Sequence, residues 1–321
     1  MPADRSGEIA LEASGLRKTY GRLVAVESLD LRVAAGTVLG FLGPNGAGKT
    51  TAIRILTTIL PPDSGSFTVA GVPHTRPTAI RRRVGVLPES AGYPLGQSGE
   101  EWLRYHAELF GRSRADARDT TRRLLADVGL ADRGRALISS YSRGMRQRLG
   151  IARALVNDPD VVFLDEPTLG LDPMGQAQML NLIGRIARER GSTVFLSTHV
   201  LADVEQVCDR VVILNRGKVV AEGTVAEVVR QAAAPRHGHV KVPPELLDRA
   251  LAALARTEVH AASNGGGPLG ELELSMPAGL ELEAAATQAM KSLLEAGVPV
   301  LGFTLAGGRL SDAFLAVTEE V

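Results

Sequence analysis

The chain has 321 residues, enough to bury a core in one large domain or in a large domain plus a small one. Its 36 basic residues balance 36 acidic ones, so no overall field favours nucleic acid or an anionic membrane surface. A single cysteine, Cys208, excludes an intrachain disulfide framework; it suits a reducing cytoplasm and reads as a small core residue.

The opening Met1-Pro2-Ala3-Asp4-Arg5-Ser6-Gly7-Glu8 lacks a basic segment followed by an apolar one, so no signal peptide is expected. No apolar run reaches the roughly 18 residues that cross a bilayer, and any membrane role is therefore expected through a partner. Residues 8–35 alternate apolar and polar positions, as in Leu29-Asp30-Leu31-Arg32-Val33, which predicts an antiparallel β layer. A short buried strand, Thr37-Val38-Leu39-Gly40-Phe41-Leu42, comes next.

Gly43-Pro44-Asn45-Gly46-Ala47-Gly48-Lys49-Thr50 matches G-x-x-x-x-G-K-[S/T], between that strand and a helix beginning at Thr51. This order makes a phosphate cradle: glycines turn backbone N–H groups toward one point, and the helix N-terminus adds positive potential there. Lys49 would reach the β- and γ-phosphates, and the Thr50 hydroxyl would hold Mg²⁺.

A turn at Pro61-Pro62-Asp63-Ser64-Gly65-Ser66 leads to strands at 67–71 and 84–88. From about 98 to 156 the spacing becomes helical, with Trp102, Tyr105 and Leu109 as the apolar stripe of one segment and Leu124, Leu125 and Val128 of the next. Two continuous apolar strands follow, 161–164 and 193–196, around a helix through 173–190. Such strands alternating with helices predict an α/β fold with a mostly parallel sheet covered on both faces. Val161-Val162-Phe163-Leu164-Asp165-Glu166 ends in two carboxylates with separate roles: Asp165 toward Mg²⁺, Glu166 toward the water that attacks the γ-phosphate.

With these motifs in order, the chain resembles the nucleotide-binding subunit of an ABC transporter over residues 8–229. Tyr141-Ser142-Arg143-Gly144-Met145 matches the family signature, Gly170-Leu171-Asp172-Pro173 the loop after the catalytic acid, Ser197-Thr198-His199 the switch histidine, and Tyr20 the aromatic that stacks on adenine. The resemblance implies a P-loop cassette with an inserted helical subdomain. It also implies ATP and Mg²⁺ as ligands, with Thr51 among the nucleotide contacts and His199 acting with Glu166. Ser142, Gly144 and Met145, at the start of the signature helix, would reach the nucleotide of an opposite subunit, so that two identical or homologous chains close head to tail, and Asp172 would be a further nucleotide contact. Asp172 in a Leu-Asp-Pro turn equally suits helix capping.

Two departures stand out. Arg143 and Met145 replace the family's frequent Gly and Gln, with Arg143 free to face a neighbour or solvent. Glu89 occupies a position usually held by a Mg²⁺-touching glutamine and is read as a metal ligand. Together with a C-terminal extension ending in Leu310-Ser311-Asp312-Ala313-Phe314-Leu315, these features resemble the drug-resistance and sodium-extrusion subset. Its members power separately encoded ABC-2 permeases that export a drug-like molecule, lipid or ion, and would place this chain on the inner face of the cell membrane. The motor would occupy 1–230 and a small α+β accessory domain 231–321, resembling a ferredoxin-like unit whose central hairpin turns at 263–268. The competing reading is a soluble ABC ATPase acting on nucleic acid or ribosomes, for which Arg112, Arg114, Arg118, Arg122 and Arg123 are the basic stretch. A third assigns ligand sensing to the C-terminal domain.

Overall fold

The computed structural model describes residues 8–232, 236–263, 270–276, 282–306 and 309–319. Two units divide after Val225. The first begins with β1 (Ile9–Tyr20) and β2 (Leu23–Ala34), which pair antiparallel and alternate buried with exposed positions. β3 (Val38–Leu42), fully buried, runs into α1 (Lys49–Leu56). β4 (Ser64–Val69), β5 (Val72–Pro73), α2 (Pro77–Arg81) and β6 (Val84–Leu87) follow.

The insertion comprises α3 (Gly99–Leu109), α4 (Arg114–Asp127) and, after two short 3-10 turns, α5 (Arg143–Ala154). Its helix starts are local chemistry. Ser98 caps α3 in a capping box with Glu101, whose carboxylate accepts the Ser98 N–H at 2.8 Å; Ser113 caps α4, accepting from Asp116 N at 3.2 Å. The apolar stripe of α3 differs from the expected one. Trp102, Leu103 and Ala107 are buried, whereas Tyr105 and Leu109 are 56% and 63% exposed. At about 100° per residue, Tyr105 stands about 200° round the helix from Leu103, on the opposite side from the stripe that Leu103 and Ala107 form one turn apart. Leu124, Leu125 and Val128 are buried as expected.

β7 (Val161–Asp165), α6 (Pro173–Arg190), β8 (Thr193–Ser197), α7 (Leu201–Val207), β9 (Arg210–Asn215) and β10 (Lys218–Gly223) complete the unit; α8 (Val225–Gln231) starts at its last residue and belongs otherwise to the second. The ten-stranded sheet has the order β5-β4-β1-β2-β10-β9-β3-β8-β7-β6. From β9 to β6 every neighbouring pair is parallel. β3, β7 and β8 are buried at all their positions, as a sheet covered on both faces requires. One face carries a row of rings, with Phe195 4.7 Å from Phe41 and 5.2 Å from Phe163 between centroids. Cys208 packs against the core on the other face, and burial pushes its thiol pKa up.

The second unit contains β11 (Arg236–Val242), α9 (Leu247–Leu254), β12 (His260–Ser263), β13 (Gly270–Met276), α10 (Leu282–Glu295), β14 (Gly302–Ala306) and α11 (Leu310–Glu319). Its sheet is antiparallel throughout, in the order β12-β13-β11-β14. Val240, Val242, Leu272 and Leu274 face a core shared with Leu254 and Leu293. The expected turn at 264–268 and part of the expected linker, 233–235, lie outside the described residues. Among the described residues no helix is long and apolar enough to cross a membrane.

The ring row gives a stability test. Phe163 is fully buried, so Phe163→Ala leaves a cavity beneath Phe195 and is expected to cost about 3–5 kcal/mol, read from denaturant midpoints. A loss under 1 kcal/mol would show that the row is not part of the stabilising core.

Candidate functional site

The loop between β3 and α1 is shaped by close approaches that exclude side chains. A Cβ on Gly48, at φ +105°, would lie 2.2 Å from the Ala25 carbonyl oxygen, and one on Gly43 would lie 2.4 Å from that of Leu214. Only glycine fits either position. Gly48 is also the N-cap of α1 and supplies no capping side chain, which leaves the positive end of the helix to an incoming anion. Lys49, 8% exposed, donates through Nζ to the carbonyls of Gly43 at 2.6 Å and Pro44 at 3.3 Å. Burial lowers its pKa, opposed by the field of Glu166, Asp165 and Glu89.

The parallel strands deliver the acids to the same edge. β7 and β8 are in register, Asp165 beside Ser197, so the loops after them leave the sheet side by side at its carboxyl end, where α/β sheets bind ligands. Thr50 Oγ1 donates to Asp165 Oδ2 at 3.3 Å. Burial raises the Asp165 pKa, with Glu89 and Glu166 adding to the rise and the Thr50 hydrogen bond opposing it. Asp165 and the Thr50 hydroxyl are hard-oxygen groups of the kind that suits a divalent cation, with Glu89 and Glu166 in the field of Asp165; among the described residues no three carboxylate, histidine or cysteine side chains stand together as a metal-holding group. His199 Nδ1 lies 3.0 Å from both carboxylate oxygens of Glu166. An ionised Glu166 can only accept, so this contact selects the Nδ1–H form of the ring.

A cavity of ≈ 590 Å³ gathers these groups, lined by Tyr20, Pro44 to Thr51, Glu89, Asp165, Glu166 and His199. Gly43 stands behind it, against Leu214. Leu23, Ala25 and Leu169 also line the cavity and were not anticipated. Leu23 pairs with Tyr20 across the β1–β2 hairpin, and the two are 66% and 44% exposed. A leucine directly after the Gly21-Arg22 turn was the available signal: it widens the apolar platform at the cavity mouth.

Ser142, Gly144, Met145 and Asp172 do not line this cavity. Ser142 caps α5, accepting from Met145 N at 3.2 Å, and Asp172 caps α6, accepting from Gly175 N at 2.9 Å with Pro173 in the first turn. Arg143 is exposed to solvent, one of the two directions expected of it. Its guanidinium lies over Gly170, where a Cβ would meet Nη1 at 2.4 Å. The basic stretch is paired in part: Arg112 and Arg123 meet Asp158, and Arg122 meets Asp119.

Removal of the cradle's cation gives a direct test. Lys49→Ala is expected to weaken binding of a fluorescent nucleoside triphosphate on the order of 10-fold or more, because a charge-assisted phosphate contact is lost. Unchanged affinity would take Lys49 out of the phosphate site.

A family model described as ABC transporter matches residues 26–169. The daunorubicin resistance ATP-binding protein DrrA3 of Streptomyces coeruleorubidus is 38% identical over 316 residues, covering 97% of this chain and 96% of its own. The daunorubicin/doxorubicin resistance ATP-binding protein DrrA of Streptomyces peucetius is 37% identical over 313 residues, covering 96% and 92%. Among solved structures, an ATP-binding subunit of an ABC transporter superposes with a TM-score of 0.62 at 32% identity, over 69% of this chain and 92% of that one. A phosphate cradle, an acid pair at the end of β7 and near full-length similarity agree: the chain belongs to the ATP-binding subunits of ABC transporters, within the drug-resistance subset.

Proposed function

We propose that two copies of this chain, or this chain and a homologous one, close head to tail on two ATP molecules and hydrolyse them to drive a separate exporter permease. The observation that carries this reading is the division of the site. Tyr20, Pro44 to Thr51, Glu89, Asp165, Glu166 and His199 line one cavity, while Ser142 and its helix end do not. A second chain would supply the missing half, with the N-terminus of α5, Gly144, Met145 and Asp172 facing the γ-phosphate.

In this reading Tyr20 and Leu23 receive adenine on their exposed surfaces, and Lys49 neutralises the outer phosphates. Thr50 and Asp165 hold Mg²⁺, with Glu89 close enough to add its charge. Held by these residues, the cation would supply positive charge to offset the negative charge that develops on the phosphates. Glu166 takes the proton of the attacking water. His199 aligns the Glu166 carboxylate through Nδ1–H, and in the Nδ1–H tautomer its Nε2 can accept a hydrogen bond from the water.

The permease would dock beside the 89–95 segment and the helical insertion. Tyr93 ties this segment to the signature helix, donating to the Arg146 carbonyl at 2.8 Å, and its ring centroid lies 5.3 Å from Trp102 on α3. Next to it runs a groove of ≈ 270 Å³ lined by Ile59, Val86, His106, Phe110 and Arg153 among others, with no carboxylate in its lining. An amphipathic helix of the permease with an acidic flank fits that chemistry. The names of the two relatives, both for daunorubicin resistance, support a drug-like cargo, and such a partner would hold the chain on the cytoplasmic face of the cell membrane. Residues 231–321 form an accessory domain, of ferredoxin-like order, in the same proposal.

Glu166→Gln keeps the shape of the site and removes the base. It is expected to bind ATP as wild type does, to lose on the order of 10²-fold in turnover, and to accumulate as an ATP-dependent dimer in light scattering. Turnover near wild type would remove Glu166 from the role of base, and a monomer at saturating ATP would overturn the two-chain site.

A further inference from the structure

The loop that carries Glu166 holds that residue in an unfavourable backbone state. Glu166 is at φ +51°, the left-handed region that residues with a Cβ rarely occupy. Such a state persists only where neighbouring structure imposes it, and it collects at working sites. On the N-terminal side the cause is plain: Glu166 N donates to the Ser197 carbonyl at 2.9 Å, continuing the β7–β8 register. On the C-terminal side Leu169 N donates back to the Glu166 carbonyl at 3.2 Å.

The side-chain anchor of that turn is Thr168. Its Oγ1 donates to Asp203 Oδ2 at 2.6 Å, and the two residues are 1% and 5% exposed. Asp203 sits in the first turn of α7, where its N–H donates to the Val200 carbonyl at 3.2 Å, one residue past His199. The pair therefore joins the loop after Glu166 to the segment after His199. It runs beneath the contact that the two residues make directly. Burial raises the Asp203 pKa, with Glu166 adding to the rise and His199 opposing it, so the carboxyl lies within the field of both.

Stability is a poor reason for such a pair. A buried carboxylate answered by a hydroxyl is costly, and an apolar pair of the same shape serves a core as well or better. What a short directional bond supplies is a fixed distance between two loops. We propose that Thr168 and Asp203 are positioning residues that lock the Glu166 turn to the His199 segment, so that the acid and the ring present one geometry to the attacking water. This inference rests on the assignment of Glu166 as base and deepens it.

The test uses the full chain in steady-state MgATP turnover. Thr168→Val, isosteric and unable to donate, is expected to lower kcat on the order of 10-fold to 10²-fold, the scale of a misplaced catalytic group. KM and the binding of a fluorescent ATP analogue should stay within about twofold, since the phosphate cradle is untouched. Thr168→Ser, which keeps the donor, should recover most of the rate; a purely structural role would show in thermal unfolding and would not follow the donor. In a Glu166→Gln background, Thr168→Val should cost nothing further, because what it positions is gone. Wild-type kcat in Thr168→Val, or a loss that adds in full to that of Glu166→Gln, would overturn the lock. Near wild-type turnover in Glu166→Gln alone would instead overturn the base assignment, and the inference with it. Should Thr168→Val not fold, Asp203→Ala is held to the same outcomes.

Discussion

The register between three fully buried strands is the constraint from which the site follows. β3 pairs with β8, and β8 with β7, so that Phe41 and Asp165 both lie beside Ser197. All three strands point the same way and end together, and each is immediately followed by a segment that carries polar groups. A slip of one residue in either pairing would turn Phe163 or Phe195 off its ring row and send Asp165 to the opposite face. The apolar cost of that slip, borne by the row of Phe41, Phe195 and Phe163, is what fixes polar atoms at the carboxyl edge. Precision in the chemistry is inherited from packing several residues away.

The edge so built is electrostatically divided. Glu89, Asp165 and Glu166 act together on Lys49, and burial acts on Lys49 and Asp165 in opposite directions, disfavouring the charged form of each. The helix end at Gly48 adds positive potential without a side chain to answer it. In the proposed reading, a triphosphate with a divalent cation would answer both sides of this division, its oxygens meeting the lysine and helix end and the metal meeting the acids. The site gains most from a ligand that carries both signs, which is a physical reason for nucleotide and metal to bind as one.

Much of this was legible in the sequence because it depends on local order. The phosphate loop, the acids closing β7, the caps at Ser142 and Asp172 and the histidine after β8 are each fixed by a few neighbouring residues. Legibility failed where a second element decides. The stripe of α3 was read through Tyr105 and Leu109, whereas the neighbours of the helix select Leu103 and Ala107 instead. Leu23 joins the cavity only because the hairpin folds it beside Tyr20. Thr168 and Asp203 are 35 residues apart and look like ordinary polar positions until β7 and β8 bring their loops together. The contact of the exposed Arg143 with Gly170 has the same origin, for it depends on the loop at Gly170 lying next to the start of α5.

That last contact bears on how two nucleotide sites could sense each other. Gly170 follows Glu166 by one turn of the loop, and Arg143 is the first residue of the helix that Ser142 caps. The guanidinium resting on Gly170 is the end of an exposed, flexible side chain, so a shift of the loop toward α5 would displace the arginine first. In the two-chain reading, α5 attends to the nucleotide of the opposite subunit while Glu166 attends to its own. A displacement of the Glu166 loop on hydrolysis would thus be felt at the helix end that holds the other ATP. Arg143, a departure from the family's frequent glycine, thereby adds a side chain at the junction between that loop and the start of α5.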